Sequence, residues 1–219
     1  MSIKNITILG VSEATLGMVL DILDFNKSYP KIDILNNINI VPTKDYINKN
    51  FDITIHSDLK SIENPILGAT KNITRFKIRQ NYSDITSKKF LNIISNSALV
   101  STTTELGYGI VICPLTYISA HSRIKDFVFI NRNCSIGHHT TISEFTTINP
   151  GVNIAGNVTI GQHVQIGIGT NIIDDVSIGN NTIIGAGSVV TKDIPNNVIA
   201  YGNPCKIIRN NVTYNNPII

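Results

Sequence analysis

His138 and His139 are adjacent in a chain that has five histidines. An imidazole titrates near neutrality, so it can take up or release a proton in a reaction at ordinary pH. His121 precedes His139 by 18 residues, and Ala120 and Gly156 flank His138 at the same interval on either side. If that interval makes one structural repeat, His138 stands between two small neighbours, in a notch that a substrate can enter. His121 and His139 would then lie on neighbouring repeats. Such a pair could begin a metal site, but no third ligand is evident, and two solvent-facing imidazoles are expected. Cys113, Cys134 and Cys205 are odd in number and lack metal-type spacing, which fits a reduced cytoplasmic setting.

The long interval comes from a smaller period. Ile112, Ile118, Ile124 and every sixth residue to Ile184 are isoleucine, and Val190 continues the row. Four residues after each stands a small or β-branched residue: Thr116, Ser122, Val128, Cys134, Thr140 and so on to Ser188. Two inward positions in six, one large and one small, mark a parallel β-helix of hexapeptide repeats. Its short strands favour β-branched residues, whose stiff side chains pack on a pleated surface. Gly or Asn is expected at tight corners that need unusual backbone angles, with Gly137, Gly161, Gly167, Gly179 and Gly185 as examples. Cys134 falls on the small inward row and reads as a packed thiol. Val100 and Leu106 carry the period back, so the helix is expected to start near Ala98 and to end near Pro195.

The first 95 residues have a different pattern. Ile6 to Leu9 is a strand ending at Gly10, Ala14 to Leu23 has helical spacing, and Ile32 to Val41, Phe51 to His56 and Pro65 to Gly68 are further strands. Lys71 to Gln80 is a predicted helix. Alternating strands and helices imply a parallel sheet with Rossmann-like winding, which binds ligands beyond its strand ends, near Gly10, Asn36, Asn37 and Gly68. The expected organisation is an α/β domain over 1–95, a β-helix over 96–197 and a tail over 198–219. A net charge of +3 without a dense Lys/Arg run argues against a nucleic-acid surface. No signal peptide and no stretch of about 20 apolar residues is read in the sequence, so no membrane association is expected.

The stretch from Asn131 to Arg209 resembles the bacterial sugar acetyltransferases of the left-handed β-helix superfamily, closest to the sialic acid O-acetyltransferase family. That family includes enzymes that N-acetylate nucleotide-linked amino sugars. The match is carried by Ser135-Ile-Gly-His-His139, Ile154-Ala-Gly-Asn157, Ile184-Gly-Ala-Gly-Ser188 and Ala200-Tyr-Gly-Asn-Pro204 with Lys206. The resemblance implies a left-handed helix, a homotrimer, acetyl-CoA as co-substrate, no metal, and a small-molecule sugar or nucleotide-sugar acceptor. It implies His138 as general base and Gly156 as a close-approach position. Coenzyme A contacts map onto Thr147, Ile168 and Ala186. On the N-terminal side, Gly10 and Ser12 match a nucleotide-binding turn, while Glu13 and Ala14 replace its usual glycine and histidine. Asn36 and Asn37 stand where the family has an acidic pair.

One departure concerns the base itself. The family usually has Asp or Glu after the catalytic histidine, and here that place is His139. Either His139 orients His138 as a neutral hydrogen-bond partner, or an acid such as Glu144 substitutes, or catalysis is weakened. The expected activity is acetyl transfer from acetyl-CoA to the amine of a nucleotide-linked amino sugar in surface-glycan synthesis. The alternatives are O-acetylation of a sugar or sialic acid hydroxyl, and a non-catalytic trimeric scaffold. A trimer would cover the outward apolar residues Ile168, Phe127 and Phe145.

Overall fold

The structure is a computed structural model, and it describes residues 5–10, 13–26, 31–35, 53–56 and 62–212. From Ile93 onward the chain winds as a three-sided parallel β-solenoid. Each side is a ladder of short rungs in which every strand pairs with its counterpart one coil on, for example Ile124 with Ile142, Ile130 with Ile148, and Ile136 with Ile154. We call the sides through Ile142, Ile148 and Ile154 the first, second and third faces. About six turns are stacked in this way. The large row and the small row both point inward: Ile112, Ile118, Ile130, Ile136, Ile142, Thr140, Val152, Thr170 and Ser188 are all fully buried.

The small row includes hydroxyls, and a buried hydroxyl needs a partner. The solenoid supplies one at a fixed place. Ser122, Thr140, Thr146 and Thr170 each donate to a corner carbonyl of the following coil, at Gly137, Ala155, Gly161 and Gly185, over 2.7 to 3.1 Å. Cys134 Sγ makes the same bond to the Asn149 carbonyl at 3.2 Å. Its burial raises the thiol pKa to about 11, so it is the packed thiol its register suggested.

The corners differ from expectation. Gly137, Gly161, Gly167, Gly179 and Gly185 are not the residues with positive φ. They are close-approach positions instead: a Cβ on Gly137 would lie 2.4 Å from the Ala155 carbonyl carbon, and one on Gly167 2.4 Å from the Ala186 nitrogen. The left-handed conformation falls two residues later and is adopted largely by residues other than glycine. His121, His139, Asn157 and Asp175 hold it at the corner between the third and first faces. Phe127, Phe145, His163 and Asn181 hold it between the first and second. Such a φ costs roughly 1 kcal/mol or more per residue. Each corner amide donates to the coil before it, as in His139 N to Ala120 O at 3.0 Å and His163 N to Glu144 O at 3.0 Å, which offsets the strain.

The ladder also runs past both expected ends. Its first rung is Ile93–Ile94, ahead of Ala98. Beyond Pro195 the strand Val198–Tyr201 pairs with Ile183 and Ile184, and Lys206–Asn210 folds back antiparallel on it. The last coil, which contains Pro195, is shorter than the others: Ile184, which pairs with Ile166 on the coil before, meets Ala200 on the coil after.

The N-terminal part is a four-stranded parallel sheet of β1 (Asn5–Leu9), β2 (Lys31–Leu35), β3 (Ile53–His56) and β4 (Pro65–Leu67), ordered β3-β2-β1-β4. Helix α1 (Glu13–Phe25) links β1 to β2, and α2 (Asn72–Asn81) follows β4. The connection from β2 to β3 lies outside the described residues, so the parallel sheet is established and the full winding is not. Ile6, Leu16, Val19 and Ile22 pack with Ile93, Val111, Cys113 and Phe129, which makes the outer side of the second face apolar in its early coils.

Helix α2 locks the two parts together. The Arg75 side chain is almost fully buried and donates to the carbonyls of Phe127 at 3.1 Å, Phe145 at 3.0 Å and Thr146 at 3.1 Å, and also to Ala69 and Thr70. Phe127, Phe145 and His163 stack down the corner with ring centroids 5.0 and 5.2 Å apart. Phe76 meets this ladder edge-on, 5.4 Å from Phe145 and 4.8 Å from His163. Phe127 is therefore buried by the chain's own packing, and Phe145 is partly covered by α2. Ile168 remains 59% exposed.

Candidate active site

His138 and His139 occupy the corner between the third and first faces, directly after the rung Ser135–Ile136. The corner is held from both sides. The His139 amide donates to Ala120 on the coil before, and the His138 carbonyl accepts from Asn157 N on the coil after, at 2.8 Å. The solenoid thus fixes the backbone and leaves the imidazoles to project from it, both exposed. On the Gly156 side the space the sequence left open is taken up by the His138 ring itself. A Cβ on Gly156 would sit 2.5 Å from His138 Cε1 and 2.6 Å from Nε2, so the ring edge occupies space that only glycine leaves open.

The other ring nitrogen is engaged. His138 Nδ1 lies 3.1 Å from His139 Nδ1, with the rings nearly perpendicular. The His121 ring stands 5.0 Å from that of His139, tilted by 39°. Among the described residues no carboxylate hydrogen-bonds either member of the pair. Glu144 lies at a different corner, where its carboxylate accepts from Gln162 at 3.0 Å. Among the described residues, the side chain that meets His138 Nδ1 is that of His139. Among the described residues no group of three or more His, Cys, Asp or Glu could hold a metal ion, and no helix is long and apolar enough to cross a membrane.

The remaining candidates fall in three places. Ile168 and Ala186 are exposed and stacked at the corner between the second and third faces, where Gly187 N donates to Ile168 O at 2.8 Å. This stripe and the His138 corner bound opposite edges of the third face. Thr147 is not on the stripe. It is buried on the second face, where its hydroxyl donates to the Thr70 carbonyl at 3.0 Å and accepts from Arg75 at 2.9 Å. Gly10 and Gly68 touch each other at the ends of β1 and β4; a Cβ on Gly68 would meet the Gly10 carbonyl oxygen. Ser12, Asn36 and Asn37 lie outside the described residues. Sequence reasoning missed Arg75, and nothing in the pattern of an isolated arginine on a short helix could have singled it out.

The bacterial transferase hexapeptide (six repeats) family matches residues 157–192. Across nearly the whole chain the fold is similar to PerB of Caulobacter crescentus, solved with CoA and GDP-perosamine. The two are 26% identical with a TM-score of 0.76, covering 94% of this chain and 97% of that one. The chain thus shares the hexapeptide repeat of bacterial transferases over 157–192 and, over nearly its whole length, the fold of this acetyltransferase structure. Two further structures support the fold alone. The acetyltransferase domain of PglB from Neisseria gonorrhoeae, solved with acetyl coenzyme A, is 23% identical with a TM-score of 0.80, covering 94% of this chain and all of that one. WeeI from Acinetobacter baumannii is 21% identical with a TM-score of 0.74 and the same coverage. No curated protein sequence matches the chain. An exposed imidazole beside a glycine can accept a proton from a reacting amine or hydroxyl.

Proposed function

We propose that this hexapeptide-repeat acyltransferase moves an acetyl group from acetyl-CoA to the amine of a nucleotide-linked amino sugar, with His138 as general base. The observation that carries the reading is the His138 ring edge set into the space above Gly156. The likeness to PerB, whose complex holds CoA and GDP-perosamine, supports both substrates. In the reaction the amine nitrogen bonds the acetyl carbon and the carbon–sulfur bond breaks. The amine proton passes to His138 Nε2 and then to the departing thiolate. His138 Nδ1 cannot serve, because His139 occupies it.

On this reading the exposed Ile168 and Ala186 stripe takes the pantetheine arm, and a small apolar patch left uncovered fits that role. The N-terminal sheet holds the acceptor by Rossmann-like winding. Its strand order reverses at β1 and β4, the kind of place where open parallel sheets bind ligands, and Gly10 and Gly68 mark that point. The domains are 1–95 for the acceptor, 96–197 for the chemistry and 198–219 as the tail. The imidazoles stand open to solvent on one chain, so a homotrimer with the site in the groove between subunits supplies the missing wall. A cytoplasmic enzyme serving surface-glycan synthesis fits these substrates.

The test is thiol release from acetyl-CoA with a panel of GDP-, UDP- and dTDP-linked amino sugars, for the native chain and His138→Ala. The variant should lose about a hundred- to ten-thousand-fold in kcat/KM while its fold and mass by light scattering stay unchanged. Near-native rates in His138→Ala would refute the base assignment. Transfer only to sugar hydroxyls would move the reading to O-acetylation, and a monomer at micromolar concentration would refute the shared groove.

A further inference from the structure

An amine and a hydroxyl acceptor differ by one hydrogen. The balance for the amine is RNH₂ + acetyl-S-CoA → RNH-acetyl + CoA-SH. As the nitrogen bonds the acetyl carbon it turns positive and still carries two hydrogens. One goes to His138 Nε2 and on to the thiolate. The other stays and becomes the N–H of the product. A hydroxyl oxygen has a single hydrogen, and once the base takes it none is left. A carboxylate on the far side of the reacting atom from Nε2 therefore accepts from an amine and repels the lone pairs of an alcohol.

One carboxylate stands in that position. His138, Gly156 and Asp174 are 18 residues apart and follow one another down one column at the corner between the third and first faces. Bonds between coils fix the stacking: Asn157 N donates to His138 O at 2.8 Å, and Asp175 N to Gly156 O at 3.2 Å. Gly156 puts no side chain between the other two. The His138 ring leans into its place, with Nε2 2.6 Å from where a Cβ would be. Asp174 is the next side chain down, about 4.8 Å beyond that point, the spacing of paired strands. A nitrogen about 3 Å from both Nε2 and a carboxylate oxygen fits such a gap. We propose that Asp174 holds the substrate amine against His138 and makes the site prefer an amine to a hydroxyl. This proposal rests on the N-acetylation reading above.

The neighbouring charges leave Asp174 to this task. It is exposed, and among the described residues none hydrogen-bonds or ion-pairs with its carboxylate. Lys192, 18 residues on, makes no ion pair with it. Asp175 holds the left-handed corner position, in the row of His121, His139 and Asn157, and so is out of line with His138. Asp193 is already engaged, accepting from Ser177 N at 2.8 Å. Of the three acids at this corner, Asp174 is the one in register with the base.

The full-length native chain, Asp174→Asn and Asp174→Ala test the proposal. Each is given whichever GDP-, UDP- or dTDP-linked amino sugar the native chain acetylates, and the analogue with a hydroxyl in place of the amine as a competing inhibitor. Loss of one charge-assisted hydrogen bond should lower kcat/KM for the amine at least about tenfold in Asp174→Ala. Asp174→Asn should lose less, because its amide oxygen still accepts. The inhibition constant of the hydroxyl analogue should stay within about threefold across all three chains. An equal loss of affinity for the analogue would make Asp174 a structural residue, and an unchanged kcat/KM for the amine would leave it no part in the reaction; either overturns the proposal. A native chain that acetylates the hydroxyl analogue and no amine refutes the acceptor, and the preference assigned to Asp174 falls with it. A native chain that acetylates the amine no better than Asp174→Ala does refutes Asp174 alone.

Discussion

Gly156→Ala separates the position of His138 from the stability of the solenoid. The added Cβ would lie 2.5 Å from His138 Cε1, against an ordinary carbon contact of about 3.5 Å, so something must move by about 1 Å. The backbone is the wrong candidate, because Ala155 N donates to Ile172 O at 3.0 Å and Asp175 N to Gly156 O at 3.2 Å. The exposed imidazole moves instead, and its Nδ1 contact with His139 is lost with it. Gly156 is not among the positive-φ residues, so alanine fits the backbone there and gains about 0.4–1 kcal/mol by restricting the unfolded chain. An off-rotamer histidine gives back a similar amount, about 0.5–1.5 kcal/mol. Stability should therefore change by less than about 1 kcal/mol, while a displacement of the base by about 1 Å costs roughly a hundredfold in kcat/KM. The assays are thiol release from acetyl-CoA and thermal unfolding of the same samples. If kcat/KM stays within about threefold of native while the ring is displaced, the rate does not depend on where His138 stands, and the site has been misplaced.

Three further outcomes follow from the packing. Arg75→Met removes the donor shared by five carbonyls between α2 and the solenoid, and should lower stability in urea unfolding by about 3 kcal/mol or more. Thr146→Val keeps the shape but removes the hydroxyl that donates to Gly161 O at 2.7 Å and accepts from Val164 N at 3.1 Å, at a cost of about 1–3 kcal/mol in the same assay. Burial first and the Arg75 charge second depress the His163 pKa from 6.5 to about 4. The unfolded chain then binds a proton that the folded one refuses. This contribution should be intact above pH 6.5, fall by up to about 1.4 kcal/mol per pH unit toward pH 4, and fall no further below. His163→Phe should flatten that part of the curve; an unchanged slope would assign it to other groups.

The β-helix was legible because a solenoid's contacts repeat locally. Each inward Ile meets its counterpart on the next coil, so the period of six states the fold, the core and the neighbours of His138 together. The notch of Ala120, His138 and Gly156 was accessible for the same reason. Composition misled at the corners. Glycine suggested unusual angles, yet Gly137 and Gly167 are required by the approach of the next coil, and the left-handed residues include Phe127, Phe145 and His139, whose cost is offset by hydrogen bonds between coils that no single hexad displays.

What the period could not express is everything that crosses it. Outward Phe127 and Phe145 looked like an interface with another subunit. Only the docking of α2, through Arg75 and Phe76, showed that the chain buries Phe127 and covers part of Phe145 itself. Thr147 shares its rung pattern with its neighbours, and its hydroxyl was drawn away from the outer surface by a helix from the N-terminal part of the chain. The sequence placed His138 beside His139 and left open whether His139 orients it, an acid such as Glu144 substitutes, or catalysis is weakened. Only the tertiary structure brings the two Nδ1 atoms to 3.1 Å from each other. Backbone register fixes where side chains start, and tertiary packing decides which atoms meet.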